Sequence, residues 1–329
     1  MLRAIYKTHG PPVETIELED IDIGPPGPGE CLVRVEAAPV HIADLKYIEG
    51  TIEIAPEPPA VAGIEGVGRV EDCSADVREI ETGQRVLLPR RGETFAQLVR
   101  VRADQLVPVV DHGDPVQISL VPINAATSYM LLTGVVHLSP GEWFIQNAAN
   151  SSCGRFNIGI GAKLGMRSIN IVRREELIED LEGWGADVVL MDGEDLHERV
   201  AEATGGAPIR LAIDAVAGQA VTRLARCLTT GGVIANYGLL SGEPCSIPPD
   251  LLFLHNLRLQ GFFLNHFEPE RYGPEWRAMM QQLAAWVADG ELRAKIAATY
   301  PLREIKAALA HEMETGAQRE GKVIVLPNA

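Results

Sequence analysis

The chain has 329 residues, 46% hydrophobic and 22% charged, an ordinary balance for folded domains and long enough to bury two cores. Its 45 acidic residues outnumber 29 basic ones, and the formal charge of −16 argues against nucleic acid or an anionic membrane as the main partner, since both bind basic surface. Met1 runs straight into Ala4-Ile5-Tyr6 without a signal pattern, and no apolar run approaches the ~18 residues that span a bilayer, so a cytoplasmic protein is expected.

The five cysteines, Cys31, Cys73, Cys153, Cys227 and Cys245, are scattered without a C-x-x-C pair, which predicts reduced thiols rather than a disulfide framework or a zinc lobe. Along the chain, Cys31–Ala37 alternates with period two, and Gly66–Val70 and Gln84–Leu88 read as short strands. The Pro/Gly runs 24–29 and 56–59 are loops. Residues 1–120 therefore form a β-rich first domain. After Val121, strand-like runs at 143–145, 168–172, 187–190, 211–216, 232–237 and 257–263 alternate with helical segments. In one of these, Phe156, Ile160 and Leu164 recur four apart, closed by Gly165; another, 175–182, turns an acidic face to solvent with Leu177, Ile178 and Leu181 inward. Such alternation predicts an α/β fold with a parallel, doubly wound sheet over 121–290, including a longer helix at 268–289. The strand-like end, Gly321–Leu326, returns residues 291–329 to the first domain.

The stretch Gln146–Arg155, QNAANSSCGR, stands between the first of these strands and the first helix, where a nucleotide-binding fold places a glycine-rich loop. With Gly154 as the last glycine of G-x-G-x-x-G, Ala149 and Ser151 occupy the other two places, the next smallest residues for close approach of backbone N–H groups to a pyrophosphate. The following strand, Ile169–Val172, ends in Arg173-Arg174 rather than in the acid that accepts from a ribose 2′-hydroxyl. Guanidinium groups there suit a 2′-phosphate and predict NADPH; a solvated pair bound to Glu175 or Glu176 is the plain alternative.

Asn124-x-x-Thr127-Ser128-Tyr129, Pro140–Ile145, the QNAANSSCGR loop and Ser168–Arg173 together resemble the zinc-independent medium-chain reductases, most closely the mitochondrial-type 2-enoyl thioester reductases, with NADPH:quinone reductases nearby. Pro59–Gly68, Asn236-Tyr237-Gly238, Leu259–Leu264, Tyr300-Pro301-Leu302 and Gly321-Lys322-Val323 extend the likeness over almost the whole chain. The resemblance implies a GroES-like catalytic domain plus a Rossmann domain, often in dimers, and a homodimer is expected. It implies a nucleotide held by Thr127, Asn150, Ser151, Ser152, Cys153, Gly154, Arg173, Arg174, Tyr237, Phe262, Phe263 and Lys322. Where zinc-dependent relatives carry ligands, this chain has residues of the Pro39–Ile42 region and Ile64, so no metal is expected. Cys153 takes the place of a valine, either filling its space or gaining reactivity at the helix N-terminus.

The resemblance further implies hydride transfer from NADPH to a conjugated carbonyl, an enoyl thioester or another enone. The enolate oxygen then needs hydrogen-bond donors and the α-carbon a proton. The tyrosine that supports protonation in the enoyl reductases is replaced by Ile52. Tyr47, five residues earlier on a short helix over 42–48, and His41, where relatives often have Asn, are the candidate catalytic residues. A quinone reductase needs no fixed acid and accommodates Ile52 better; a nucleotide-binding protein without turnover is the third reading.

Overall fold

The computed structural model describes residues 1–266, 272–314 and 320–329. The chain divides into two units, Met1–Ile123 with Glu270–Ala329, and Asn124–Pro269. The boundary expected at 290 thus lies at 269. The reason is the helix Pro274–Ala288, which buries Trp276, Met280 and Leu283 and ties to the first unit through Arg277, a donor to the carbonyls of Leu106 (2.6 Å) and Asp104. Of the helix expected over 268–289, residues 268–271 lie outside the described residues.

In the first unit, the alternating segment becomes the strand Glu30–Pro39, paired antiparallel with Val67–Cys73 and Leu98–Arg102. Its inward side chains Val33 and Val35 join Val86, Phe95, Leu106, Val323 and Val325 in one core. Burying each such side chain stabilises the fold by ~1.5–3 kcal/mol. The last strand, Lys322–Leu326, pairs Val325 with Ala38 and Ile324 with Pro39, so the chain's end lies in the first sheet. Cys31 and Cys73 face each other across adjacent strands and form a disulfide, which corrects the expectation of reduced thiols for these two. Strand register, invisible in a spacing of 42 residues, brings them together. Cys153, Cys227 and Cys245 keep their thiols.

The second unit holds a six-stranded parallel sheet in the order Val188–Met191, Arg167–Val172, Trp143–Gln146, Ile209–Asp214, Val233–Asn236, Arg258–Gly261. Every residue of Trp143–Gln146 is buried, as expected of a central parallel strand covered on both faces. Strand order reverses between Trp143–Gln146 and Ile209–Asp214, the switch point where doubly wound folds open a crevice. The helix Ser152–Lys163 packs hard on this sheet: a Cβ at Gly161 would sit 2.7 Å from the Phe144 ring. No helix among the described residues is long and apolar enough to cross a membrane.

Candidate functional site

In the second unit, the loop after Gln146 leaves the sheet at the switch point. Ala148 holds a left-handed backbone, φ 47°, which costs a non-glycine residue ~1–2 kcal/mol and is kept only where surroundings enforce it. The Ser151 hydroxyl accepts from the Gly154 N–H at 3.0 Å and caps the helix. Gly154 is dictated by space, because a Cβ there would lie 2.4 Å from the Ala149 carbonyl oxygen. The loop and helix therefore approach as in a glycine-rich turn, with alanine and serine in the remaining places.

A buried hydrogen-bond set fixes the rim. Asn147 Nδ2 donates to Asp214 Oδ1, and Asn147 Oδ1 accepts from the Ala215 N–H at 2.8 Å. Asp214 Oδ2 accepts from Asn236 Nδ2 at 2.6 Å, so the ends of three neighbouring strands are locked together. The Tyr237 hydroxyl shares a hydrogen bond with Ser151, and enclosure of its ring pushes the phenol well above its usual range. Thr127 is buried on the helix Ala126–Gly134, whose Ser128 hydroxyl donates to the Cys153 carbonyl at 3.0 Å. The Cys153 sulfur accepts from Asn124 Nδ2 at 3.3 Å. The Asn150 carbonyl accepts from Arg155 Nε at 3.3 Å, and Ser152 opens the helix. Arg173 is exposed and makes no ion pair with the described residues, whereas Arg174 reaches Glu176 at 3.1 Å. Phe262 is buried, its N–H donating to the Asn236 carbonyl at 2.7 Å; Phe263 is partly exposed and meets His266 edge to face.

The first unit contains a buried ionisable cluster. The His41 N–H is accepted by Asp44 Oδ2 at 2.8 Å, fastening the start of the helix Ile42–Glu49. His41 Nε2 hydrogen-bonds Glu65 Oε1, whose partner Oε2 accepts from the Ile123 N–H at 2.7 Å. His41 Nδ1 lies 3.1 Å from Lys322 Nζ, which also sits 3.9 Å from Glu312 Oε1. Burial pushes the Asp44 carboxyl up to about 7 and Glu65 well above the carboxylate range. Both ring nitrogens of His41, expected as a direct proton donor, thus face partners within this cluster. Lys322, expected at the nucleotide, is held here by His41 and Glu312.

Beside this cluster lies a cavity of about 250 Å³ lined by Tyr6, Asp44, Tyr47, Pro56, Ile64 and Arg91, among others. Tyr47, on the helix Ile42–Glu49, is buried, yet its hydroxyl makes no hydrogen bond to the described residues. The Tyr6 hydroxyl is buried without a partner among the described residues, and burial pushes it up to about 12, so it stays protonated. Ile52 is absent from the lining.

These arrangements have relatives. Residues 27–111 match a family model described as alcohol dehydrogenase GroES-like domain, and residues 154–285 one described as zinc-binding dehydrogenase. The chain is 32% identical over 296 residues to the mitochondrial enoyl-[acyl-carrier-protein] reductase of Caenorhabditis elegans, covering 88% of this chain and 85% of that protein. The chain belongs to the medium-chain dehydrogenase/reductase superfamily. A solved structure from Bacillus thuringiensis, assigned as an NADPH:quinone reductase, superposes on this superfamily member with a TM-score of 0.89 at 29% identity, covering 99% of this chain and 98% of that one. A mutant enoyl thioester reductase from Candida tropicalis shares the fold, with a TM-score of 0.87 at 24% identity and 99% of both chains covered. The protein is accordingly an enzyme of the enoyl or quinone reductase type.

Several residues of this reductase escaped the sequence. Glu65 was visible only as an acid inside the apolar run Ala60–Val67, a signal of a buried and therefore partnered carboxylate. Tyr6 and Arg91 lie in an ordinary strand and an ordinary loop, and nothing in their neighbours announces a cavity.

Proposed function

We propose that the enzyme reduces a conjugated carbonyl, an enoyl thioester or another enone, with NADPH, and that Tyr47 serves the acceptor. The tight contact of Gly154 with Ala149 supports a cradle in which backbone would approach a pyrophosphate, and Arg173, exposed and without an ion pair among the described residues, suits a 2′-phosphate. Thr127, Asn150–Gly154, Tyr237, Phe262 and Phe263 would complete the nucleotide's surroundings, with Arg174 divided between it and Glu176. When bound, NADPH supplies a hydride. Negative charge then collects on the acceptor's carbonyl oxygen, and the Tyr47 O–H is free to donate to it and to pass a proton to the α-carbon. His41 stands behind as a positioning group, held by Glu65 and Lys322. The observation that carries the proposal is Tyr47, a wall residue of the cavity whose hydroxyl is engaged by no hydrogen bond among the described residues.

Ile52 favours a second reading, NADPH:quinone reduction, in which no carbon needs a proton. The third, nucleotide binding without turnover, makes Tyr47 a packing residue. NADPH oxidation by the purified enzyme, run with a short 2-enoyl thioester beside a simple quinone, separates them. The expected result is faster reduction of the thioester, with Tyr47→Phe at least ~10-fold slower and NADPH affinity unchanged. An unchanged rate in Tyr47→Phe removes the tyrosine from the chemistry. Reduction of the quinone alone supports the second reading; bound NADPH with neither acceptor reduced supports the third. The same reading includes a homodimer formed through the exposed edge strand Arg258–Gly261.

A further inference from the structure

We propose that Arg91 is an anion-binding residue of the Tyr47 cavity, so that the acceptor is a small conjugated carbonyl compound carrying a carboxylate. The proposal rests on the cavity being the acceptor site. Arg91 lines it with its guanidinium carbon 5.5 Å from the centre of the Tyr47 ring. One of its five N–H donors is used, by the Ile54 carbonyl at 3.0 Å. No carboxylate of the described residues forms an ion pair with it, in a chain where acids outnumber bases 45 to 29. Arg3, Arg34, Arg69, Arg85, Arg155 and Arg223, by contrast, each hold one.

The backbone keeps this cation in place at a cost. Arg91 and Glu93 both adopt left-handed angles, φ 63° and 56°, although neither is glycine, and the Arg91 N–H is pinned to the Ile64 carbonyl at 2.8 Å. The other charged groups of the lining are Asp44 and Glu93. Asp44 is held low in charge by burial and already accepts from the His41 N–H. Glu93 forms no ion pair with Arg91 and is the second carboxylate of the lining. The remaining wall is apolar, from Ile48, Pro56, Ala60, Val61, Ala62 and Ile64. Its volume falls below the ~300–1,000 Å³ of pockets for drug-sized ligands, which fits a short carbon skeleton. A carboxylate on Arg91, which is exposed, and a ketone oxygen on Tyr47 would use the donors these two wall residues leave open among the described residues.

Levulinate and its methyl ester share one skeleton and differ in charge, and neither can accept a hydride at a conjugated carbon. Calorimetric titration of each into the intact enzyme, without NADPH, reads the subsite independently of turnover. Levulinate is expected to bind at least ~10-fold more tightly than the ester, to lose ~10-fold in Arg91→Gln and to recover part of that in Arg91→Lys, with the ester unchanged throughout. Equal affinity for the two compounds, an unaltered Arg91→Gln, or no binding of levulinate overturns the proposal. Acetylacrylate, the unsaturated counterpart, is then offered with NADPH. Levulinate binding without acetylacrylate reduction defeats the reduction reading and leaves the anion subsite standing. Preferential reduction of methyl acetylacrylate defeats the subsite and leaves reduction standing.

Discussion

Arg173 and Arg174 are neighbours in sequence with different surroundings. Arg174 is engaged by Glu176 at 3.1 Å, while Arg173 stands exposed at the end of the strand Arg167–Val172 without an acid in reach among the described residues. A guanidinium on a phosphate contributes ~1.5–3 kcal/mol, about ten- to hundredfold in affinity. Arg173→Ala is therefore expected to weaken NADPH by that factor and to leave NADH nearly unchanged, read by titrating both nucleotides. Equal losses would show that the side chain does not read the 2′-phosphate. That arginine was legible in the sequence because its place is set by a local pattern, a strand followed by a turn. The His41–Lys322 contact was not, since it joins residues 281 apart through the pairing of the first and last strands of one sheet. Cys31 and Cys73 were misread for the same reason.

At the scale of elements, periodicity found the six strands of the second unit, and the helices around Phe156 and Leu177, to within a few residues, because each is fixed by its own apolar spacing. The loop they carry is fixed by contact instead. A side chain at Gly154 collides with Ala149, so Gly154→Val is expected to pry the helix Ser152–Lys163 from the loop. A melting curve should show a loss of several degrees together with loss of stabilisation by NADPH. Retained NADPH stabilisation would mean that the cradle tolerates the wider spacing. The helix Ile42–Glu49 raises a second case, since Asp44 secures its first turn from full burial. Its carboxyl is raised from 3.8 to about 7, mainly by burial. The folded state thus keeps a proton that the unfolded chain has released, and stability falls as pH rises between those values. Wild type should lose ~3 kcal/mol more than Asp44→Asn between about pH 5 and about pH 8, measured by urea unfolding. Parallel loss in the two proteins would place the titration elsewhere.

For the whole molecule, net charge argued against nucleic acid or an anionic membrane as the main partner but left assembly open. The second unit's sheet ends at Arg258–Gly261, which has no outer neighbour among the described residues. An open edge of this kind presents unpaired N–H and C=O groups and is normally covered or blunted with charge. Here it carries Leu259 at 42% exposure, and the segments flanking it leave Phe253 and Leu254 at 71% and 67%. Leu239 at 74% and Leu240 at 57% follow the neighbouring strand Val233–Asn236. Apolar surface gathered near a free edge favours pairing with a second copy, which would extend the sheet and remove that surface from water. Sedimentation of the wild type is therefore expected to give twice the 35.6 kDa chain mass. Leu259→Arg, which sets like charges against each other across a two-fold pairing, should shift the protein toward the single-chain mass without changing the Tm at dilution. A wild type that sediments as one chain at micromolar concentration would leave the edge unpaired, and these side chains would then need another cover.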